Sequence, residues 1–295
     1  MVALADWSTA AANDGANMRL GDYSALTFDC YGTLIDWETG ILAALRPWAT
    51  AHRVTADDEQ LLATFARAES RREAAEPTAP YPRILAGVLE DLAEEVGAAA
   101  SPQEAEAFAG SVKDWPAFPD SAEALAYLQQ HYKLVIVSNV DRASFRHSNA
   151  RLGVAFDAVI TAEDAGDYKP APNHFQLALA RLADMGVPKD RVLHVAQSLY
   201  HDHVPAKRLG LATVWVNRRS DRAPALSGGA TPAAPGATRP STGATPPTTG
   251  ATPPSSGATP PSTGATPPAS VPVTPDAEVP TMSALADMDR RQRAG

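Results

Sequence analysis

The 295-residue sequence has a single cysteine, Cys30, and no long apolar run. One cysteine excludes an internal disulfide framework and fits a reducing compartment. A membrane-spanning helix needs about 20 consecutive apolar residues, and no stretch of the chain approaches that length. The first twenty residues lack a basic start followed by an apolar block, so we expect no secretory signal peptide. Together these absences predict a cytoplasmic protein without a membrane partner.

Basic residues are also scarce. The chain has 25 Lys and Arg against 34 Asp and Glu, which gives a formal net charge of −9. A nucleic-acid-binding protein needs a basic face to neutralise phosphates, so we expect no nucleic-acid partner. Hydrophobic residues make up 44% of the chain, enough for an ordinary globular core.

Proline, by contrast, is abundant and unevenly distributed. The motif Gly-Ala-Thr-Pro-Pro restarts every seven residues, at Gly243, Gly250, Gly257 and Gly264. These repeats contain no large apolar residue, so we predict a disordered, extended loop over residues 222–275. A ligand for a proline-recognising domain or a glycosylated stalk is one interpretation; an expanded repeat in a tolerant surface loop is favoured. Residues 1–22 are predicted as a disordered extension, and residues 276–295 as a short edge segment and a helix returning to the core.

Short apolar runs alternate with helical stretches along the rest of the chain. The runs predict five strands, at residues 25–28, 133–137, 158–161, 192–195 and 212–216. Helices are predicted between them, at residues 121–131, 143–152, 173–185 and 203–209. This alternation indicates an α/β fold, a Rossmann-like parallel sheet with helices on both faces, formed by residues 23–36 and 119–221.

About eighty residues without a strand pattern separate the first two strands. They predict four helices, at residues 41–52, 57–75, 81–96 and 101–114. We therefore expect a helical cap over residues 37–118, inserted directly after the first strand. Ligands of open parallel sheets bind beyond the carboxyl ends of the strands, so such a cap would cover the binding site.

Polar residues stand at four of the predicted strand ends. Asp29 follows the first strand, Ser138 and Asn139 the second, Lys169 the third, and Asp202 lies shortly after the fourth. Singly, each has a plain explanation, as a turn residue, a helix cap or a solvated loop residue. Their coincidence at four strand ends favours a site in which a carboxylate attacks a bound substrate.

The motif Asp-x-Tyr-Gly-Thr from Asp29, the Ser-Asn pair at Ser138, the Lys-Pro pair at Lys169 and the later Asp202 resemble the haloacid dehalogenase superfamily. The resemblance spans about residues 24–216. It implies that Asp29 is a nucleophile that forms a covalent ester with the substrate.

Two positions separate the phosphatases of that superfamily from its dehalogenases. Phosphatases usually have a second aspartate, a general acid, where this chain has Tyr31, and a magnesium-binding aspartate where it has Gln197. A dianionic phosphate needs a cation between itself and a carboxylate nucleophile. Both departures resemble the L-2-haloacid dehalogenase branch, which uses no metal. We therefore expect metal-independent hydrolysis of short 2-haloacids, with no cofactor.

The resemblance also implies roles for single residues. Lys169 would hold Asp29 ionised, Thr33 would hydrogen-bond to Asp29, and Asp202 would position or activate the hydrolytic water. Ser138 would take the substrate carboxylate. Asn139 and an arginine of the cap would receive the halide; Arg67 is chosen for that arginine, with Arg71 and Arg72 as alternatives. The remaining substrate-binding positions are Tyr31, Phe175, Gln197 and His201.

Two alternatives stay open at this point. One is a magnesium-dependent small-molecule phosphatase of the same superfamily, active despite Gln197. The other is an interaction protein that recruits partners through the proline-rich loop and keeps a vestigial catalytic domain, against which the intact set of Asp29, Lys169 and Asp202 argues. A homodimer is expected only by analogy with the family.

Overall fold

A six-stranded parallel sheet lies at the centre of the computed structural model, which describes residues 18–220 and 273–295. Its strands are β1 (Ala25–Phe28), β2 (Lys133–Ser138), β3 (Ala158–Thr161), β4 (Val192–Ala196), β5 (Ala212–Val216) and β6 (Ala277–Val279). The strand order is β3-β2-β1-β4-β5-β6, and every adjacent pair is parallel. The predicted α/β fold with a parallel sheet is confirmed.

The central strand fixes where the polar strand ends meet. Phe28, the last residue of β1, is in register with Ile136 of β2 and Val195 of β4. The carboxyl ends of these three strands therefore lie at one edge of the sheet, and the residues that follow them converge there.

Helices cover both faces of this sheet. They are α5 (Ser121–Leu128), α6 (Arg142–Leu152), α7 (Ala162–Ala165), α8 (Asn173–Asp184), α9 (Val204–Arg208) and α10 (Met282–Ala294). Along β2, Leu134 and Ile136 belong to one buried cluster, whereas Val135 and Val137 belong to another that includes residues of α8. Because both faces are buried, the strands read as continuous apolar runs rather than as an alternating pattern.

The segment between β1 and β2 forms the helices expected of the cap. They are α1 (Trp37–Ala51), α2 (Asp58–Ala75), α3 (Tyr81–Glu95) and α4 (Pro102–Ala109), followed by a 3-10 turn at Gly110–Asp114. Reciprocal capping boxes begin α2 at Asp57 and α4 at Ser101. Helix α1 begins four residues earlier than the sequence predicts, because the Asp36 side chain accepts a hydrogen bond from Thr39 N.

The end of the chain returns to the sheet. Strand β6 pairs with β5 at the edge of the sheet, and Thr281 caps α10 by accepting a hydrogen bond from Ala284 N. None of the helices in the described part of the chain is long and apolar enough to cross a membrane.

The predicted disorder of residues 1–22 is wrong for their last five residues. Leu20–Asp22 form a 3-10 turn, and Leu20 is fully buried. Gln292 of α10 accepts a hydrogen bond from Leu20 N at 2.7 Å and donates one to the Met18 carbonyl at 2.8 Å. The rest of the predicted extension, and all but the last three residues of the predicted proline-rich loop, lie outside the described residues.

Candidate active site

A buried lysine joins two carboxylates at the carboxyl edge of the sheet. Lys169 Nζ donates to Asp29 Oδ1 at 2.9 Å, to Asp202 Oδ1 at 2.7 Å and to the Val137 carbonyl at 2.9 Å. The exposed fractions of Lys169, Asp29 and Asp202 are 2%, 6% and 1%. All three N–H groups of the ammonium are therefore used, and the lysine is fixed between the two acids.

The chain positions each of these groups through local contacts. The Thr33 hydroxyl donates to Asp29 Oδ2 at 2.7 Å and accepts from Gln197 N at 2.9 Å, which ties the end of β1 to the end of β4. Gly32 makes the intervening turn with φ +95°, a value that favours glycine. The backbone N–H of Lys169 donates to Asn139 Oδ1 at 2.7 Å, so Asn139 holds the lysine loop in place.

The charge states of Lys169, Asp29 and Asp202 depend on one another. Burial disfavours the Lys169 ammonium, but the carboxylates of Asp202 and Asp29 outweigh burial and raise the lysine pKa above its ordinary value. Burial and the Asp202 charge raise the pKa of Asp29, although Lys169 and the Thr33 hydroxyl act in the opposite direction. Burial alone would also raise the pKa of Asp202, but Lys169 and His194 hold it well below its usual range. Asp202 is therefore the more strongly ionised of the two acids.

Sequence reasoning missed a chain of buried polar groups behind Asp202. His194 Nε2 lies 3.3 Å from Asp202 Oδ1, and His194 Nδ1 lies 2.9 Å from Thr27 Oγ1. His194 and Thr27 are buried within strands β4 and β1. A histidine in an otherwise apolar strand was the available signal. Asp202 Oδ2 has no partner among the described residues.

A cavity of about 100 Å³ opens above the nucleophile candidate. Core residues line its floor: Asp29, Tyr31, Asn139, Val140, Lys169, Gln197, Ser198, His201 and Asp202. Residues of the cap segment line the rest: Trp37, Phe65, Ala66, Glu69, Ser70, Glu73, Tyr81 and Trp115. The helical segment therefore covers the strand ends.

Four of the residues predicted at the site do not line this cavity: Thr33, Arg67, Ser138 and Phe175. The Ser138 hydroxyl is fully buried at the end of β2 and has no hydrogen-bond partner among the described residues. Phe175 packs in the core cluster beneath the sheet, where its ring lies 4.9 Å from that of His194. By contrast, Tyr31, Asn139, Gln197 and His201 do line it, and the Tyr31 hydroxyl lies 2.8 Å from Ser148 Oγ.

The prediction that Arg67 faces the active site is wrong. Its side chain is 49% exposed and forms an ion pair with Glu95 of α3. Arg71 and Arg72 do not face the cavity either, because Arg71 pairs with Glu95 and Arg72 pairs with Asp91. The physical reason is helical geometry. Residues 65, 69 and 73 are spaced by four and lie on the face of α2 that points into the cavity, whereas Arg67 lies on a different face.

Two glutamates occupy the cavity face of α2 instead. Glu73 is 7% exposed, and Asn139 Nδ2 lies 3.3 and 3.4 Å from its two carboxyl oxygens. Glu69, one turn earlier, accepts a hydrogen bond of 2.7 Å from the Tyr81 hydroxyl. Burial raises the pKa of Glu69 to about 7, and burial together with Glu69 raises that of Glu73 well above its ordinary value. The spacing of four residues along a predicted helix was the signal that sequence reasoning missed.

The donor set does not suit a magnesium ion. Within residues 18–220 and 273–295, no group of three or more His, Cys, Asp or Glu side chains could hold a metal. The Lys169 ammonium already contacts both Asp29 and Asp202, in the position where a cation would balance them. His201 is kept neutral because burial lowers its pKa to about 4. We therefore derive no step through a metal.

A carboxylate at the end of the central parallel strand, held by a buried lysine and covered by inserted helices, is an arrangement typical of an α/β enzyme. Comparison with protein families agrees with this class. The model of the haloacid dehalogenase-like hydrolases matches residues 23–208. The chain belongs to that family of hydrolases.

Individual relatives match a shorter part of the chain than the family model does. An (S)-2-haloacid dehalogenase of Pseudomonas putida is 31% identical over 106 residues, which cover 35% of this chain and 45% of that enzyme. The chain thus spans less than half the length of this relative.

Solved structures match over a larger part of the chain. The crystal structure of a defluorinating L-2-haloacid dehalogenase has a TM-score of 0.64 at 18% identity and covers 91% of this chain and 95% of its own. An L-2-haloacid dehalogenase of Xanthobacter autotrophicus with covalently bound chloropropionic acid has a TM-score of 0.63 at 20% identity, with coverage of 91% and 98%. At these identities the likeness shows the fold.

Proposed function

We propose that this protein hydrolyses the carbon–halogen bond of short 2-haloacids through an ester on Asp29, without a metal ion. One observation carries the proposal: the Lys169 ammonium stands between Asp29 and Asp202 and contacts both. A lysine in this position orients a carboxylate nucleophile and supplies the positive charge that balances both acids. The names of the relatives in the family support the same chemistry.

The first step is a displacement at carbon. A carboxylate oxygen of Asp29 attacks the carbon that bears the halogen, the carbon–halogen bond breaks, and the halide leaves with the bonding electrons. Lys169 and Thr33 each bind one oxygen of Asp29, so the carboxylate is oriented before substrate arrives. Attack from the side opposite the halogen inverts the carbon.

The second step regenerates the enzyme. Water attacks the carboxyl carbon of the Asp29 ester, the hydroxy acid leaves, and the oxygen of water stays in the Asp29 carboxylate. Asp202 lines the cavity, and its Oδ2 has no partner among the described residues, so this oxygen is available to orient the water. One proton of the water passes to the hydroxyl oxygen of the departing hydroxy acid and the other is released, so the whole reaction yields the hydroxy acid, a halide ion and a proton.

We propose fewer substrate-binding residues than the family resemblance implies. Asn139, Tyr31, Gln197 and His201 supply the polar lining on the core side. Trp37, with the other aromatic residues of the cap segment, supplies an apolar wall. The small cavity suits a short substrate. We assign no part in substrate binding to Arg67.

Halide release in EDTA tests this function. L-2-chloropropionate, its D enantiomer and chloroacetate are assayed with the wild type, Asp29→Asn and Asp190→Asn, an exposed control. We expect halide from the L enantiomer and chloroacetate, none with Asp29→Asn, and full activity with the control. Phosphate release from a phosphate ester only in magnesium, with no halide in EDTA, would instead establish the phosphatase alternative.

We also propose that the enzyme works in the cytoplasm, does not bind nucleic acid and forms a homodimer. The net charge of −9 and the single buried cysteine support the first two statements. The dimer is supported only by the family resemblance. Light scattering of the full chain would show a mass of twice 31.0 kDa if it is right.

A further inference from the structure

The cap side of the active-site cavity holds two carboxyl groups where a halide must leave. Glu73 is buried and contacts Asn139, the core residue assigned above to the halide. Lys169 is the one lysine or arginine among the described residues that line the cavity. The arginines of α2 all pair with carboxylates of α3 on the far side of the helix. The leaving halide therefore meets Glu73 and no arginine.

An ionised Glu73 would repel the leaving halide. The charged and titratable groups around it are Glu69 on its own helix, Tyr81 of α3 and six residues of the core: Asp29, Tyr31, Tyr168, Lys169, His201 and Asp202. Lys169 is already matched by two carboxylates. A halide forming beside an ionised Glu73 would therefore add to the negative charge of Glu73 and of the substrate carboxylate in a buried site, where like charges repel strongly.

A protonated Glu73 removes this conflict. Its carboxylic acid adds no charge and offers an O–H donor to the cavity. Glu69 supports this state, because the Tyr81 hydroxyl donates to Glu69 and so stabilises its carboxylate in preference to that of Glu73. Asn139 remains bonded to Glu73 and holds its carboxyl group in place.

We propose that Glu73 is a catalytic residue that, in its protonated form, donates a hydrogen bond to the departing halide. The inference rests on the proposed displacement by Asp29. The bond from Asp29 to carbon forms as the carbon–halogen bond breaks, the halide accepts the hydrogen bond, and the proton stays on Glu73. Donors aimed at developing charge in a buried site contribute strongly to catalysis.

The proposal predicts a dependence on the halogen. Fluoride is the most basic halide and the poorest leaving group, so it gains most from a hydrogen bond. Bromide is a weak acceptor and leaves readily without help. Loss of the Glu73 donor should therefore slow carbon–fluorine cleavage most, carbon–chlorine cleavage less, and carbon–bromine cleavage least.

The test measures kcat/KM for fluoroacetate, chloroacetate and bromoacetate. The variants are Glu73→Ala, Glu73→Gln and Glu59→Gln, an exposed control on the same helix. We expect Glu73→Ala to lower fluoride release by about 100-fold, the usual effect of removing one such donor, and bromide release by less than about threefold. Glu73→Gln keeps an N–H donor and should restore fluoride release to within about tenfold of the wild type.

A pH profile gives a second readout. Wild-type fluoride release should fall as the pH rises through the pKa of Glu73, because the donor is then lost. Glu73→Gln has no proton to lose there, so the alkaline fall should disappear. Circular dichroism and thermal unfolding show whether each variant is folded.

The outcomes separate the two proposals. Equal losses with all three halogens, an unchanged fluoride-to-bromide ratio, or a wild type that releases bromide and no fluoride would overturn the role of Glu73 and leave the dehalogenase function standing. No halide from any haloacid with the wild type would overturn the proposed function, and the role of Glu73 with it.

Discussion

Lys169 Nζ lies 2.9 Å from Asp29 Oδ1, and both side chains are almost completely buried. The same ammonium also contacts Asp202. A single buried cation thus balances two acids from different loops of the sheet. Removing it would leave two uncompensated carboxylates in a site closed to solvent, which is far more costly than losing an exposed ion pair.

We therefore expect Lys169→Met to abolish halide release and to lower the free energy of unfolding by about 3–5 kcal/mol at neutral pH. The loss should shrink as the pH falls, because the two carboxyl groups, now without their cation, take up protons at higher pH than in the wild type. Urea unfolding at pH 5 and pH 8 measures both effects. A variant that is equally destabilised at the two pH values would contradict this account.

Asp202→Asn tests whether Asp29 and Asp202 act in different steps of the reaction. If Asp29 attacks and Asp202 serves only the water, the variant should still form the ester but hydrolyse it slowly. We expect an adduct on the peptide that contains Asp29 in mass spectrometry, and turnover reduced by at least about 100-fold, in the range of a lost general base. A variant without adduct and without turnover would place Asp202 in the first step as well.

The carboxyl edge of the sheet could be predicted from sequence, whereas the cap face could not. Apolar runs ending in Asp29, in Ser138 and before Lys169 are enough, because parallel strands bring their ends together. For the cap, the family resemblance implies an arginine such as Arg67, but the rotation of α2 decides which side chains enter the cavity. Glu73 enters it because it shares the face of Phe65.

Other differences between the predicted and the observed structure arise where polar residues become buried and bind partners that the sequence alone does not identify. His194 is a polar residue within a buried strand; its partner Thr27 comes from a distant part of the chain, and its partner Asp202 from the loop that follows the same strand. Asp120 shows a similar competition. The spacing of Asp120 and Glu123 is typical of a capping box, yet Asp120 instead pairs with Arg218 and accepts a hydrogen bond from Ser283 N. Tertiary partners thus displaced a local one.

Helix α1 packs closely against the end of the cap segment at Gly40. A Cβ atom built on this residue would lie 2.4 Å from the ring of Trp115, which is 1% exposed. Neither backbone nor indole can yield easily there. We expect Gly40→Ala to lower the free energy of unfolding by about 1–3 kcal/mol, the range for an overpacked core. Urea unfolding measures it, with Gly110→Ala as the control, since a Cβ at Gly110 has no neighbour within 4 Å. Equal stability of the two variants would refute the steric argument.

Glu69 should make the stability of the protein depend on pH near neutrality. Burial raises its pKa in the folded chain to about 7, above the ordinary value of 4.5. A group with a raised folded pKa binds its proton more tightly when folded, so its contribution is complete below the unfolded pKa and is lost as pH rises through about 7. Glu69→Gln removes this dependence because it cannot ionise.

We therefore expect Glu69→Gln to be more stable than the wild type by about 2–3 kcal/mol at pH 8, the cost of ionising a carboxyl group whose pKa is raised this far. At pH 5 the advantage should be small, since the folded wild type is then protonated at Glu69. Urea unfolding of both proteins at the two pH values gives the difference, and Glu59→Gln, an exposed residue of the same helix, should show no such change. If Glu69→Gln gains equally at pH 5 and pH 8, the carboxyl group is not the source, and the charge shared between Glu69 and Glu73 must be assigned differently.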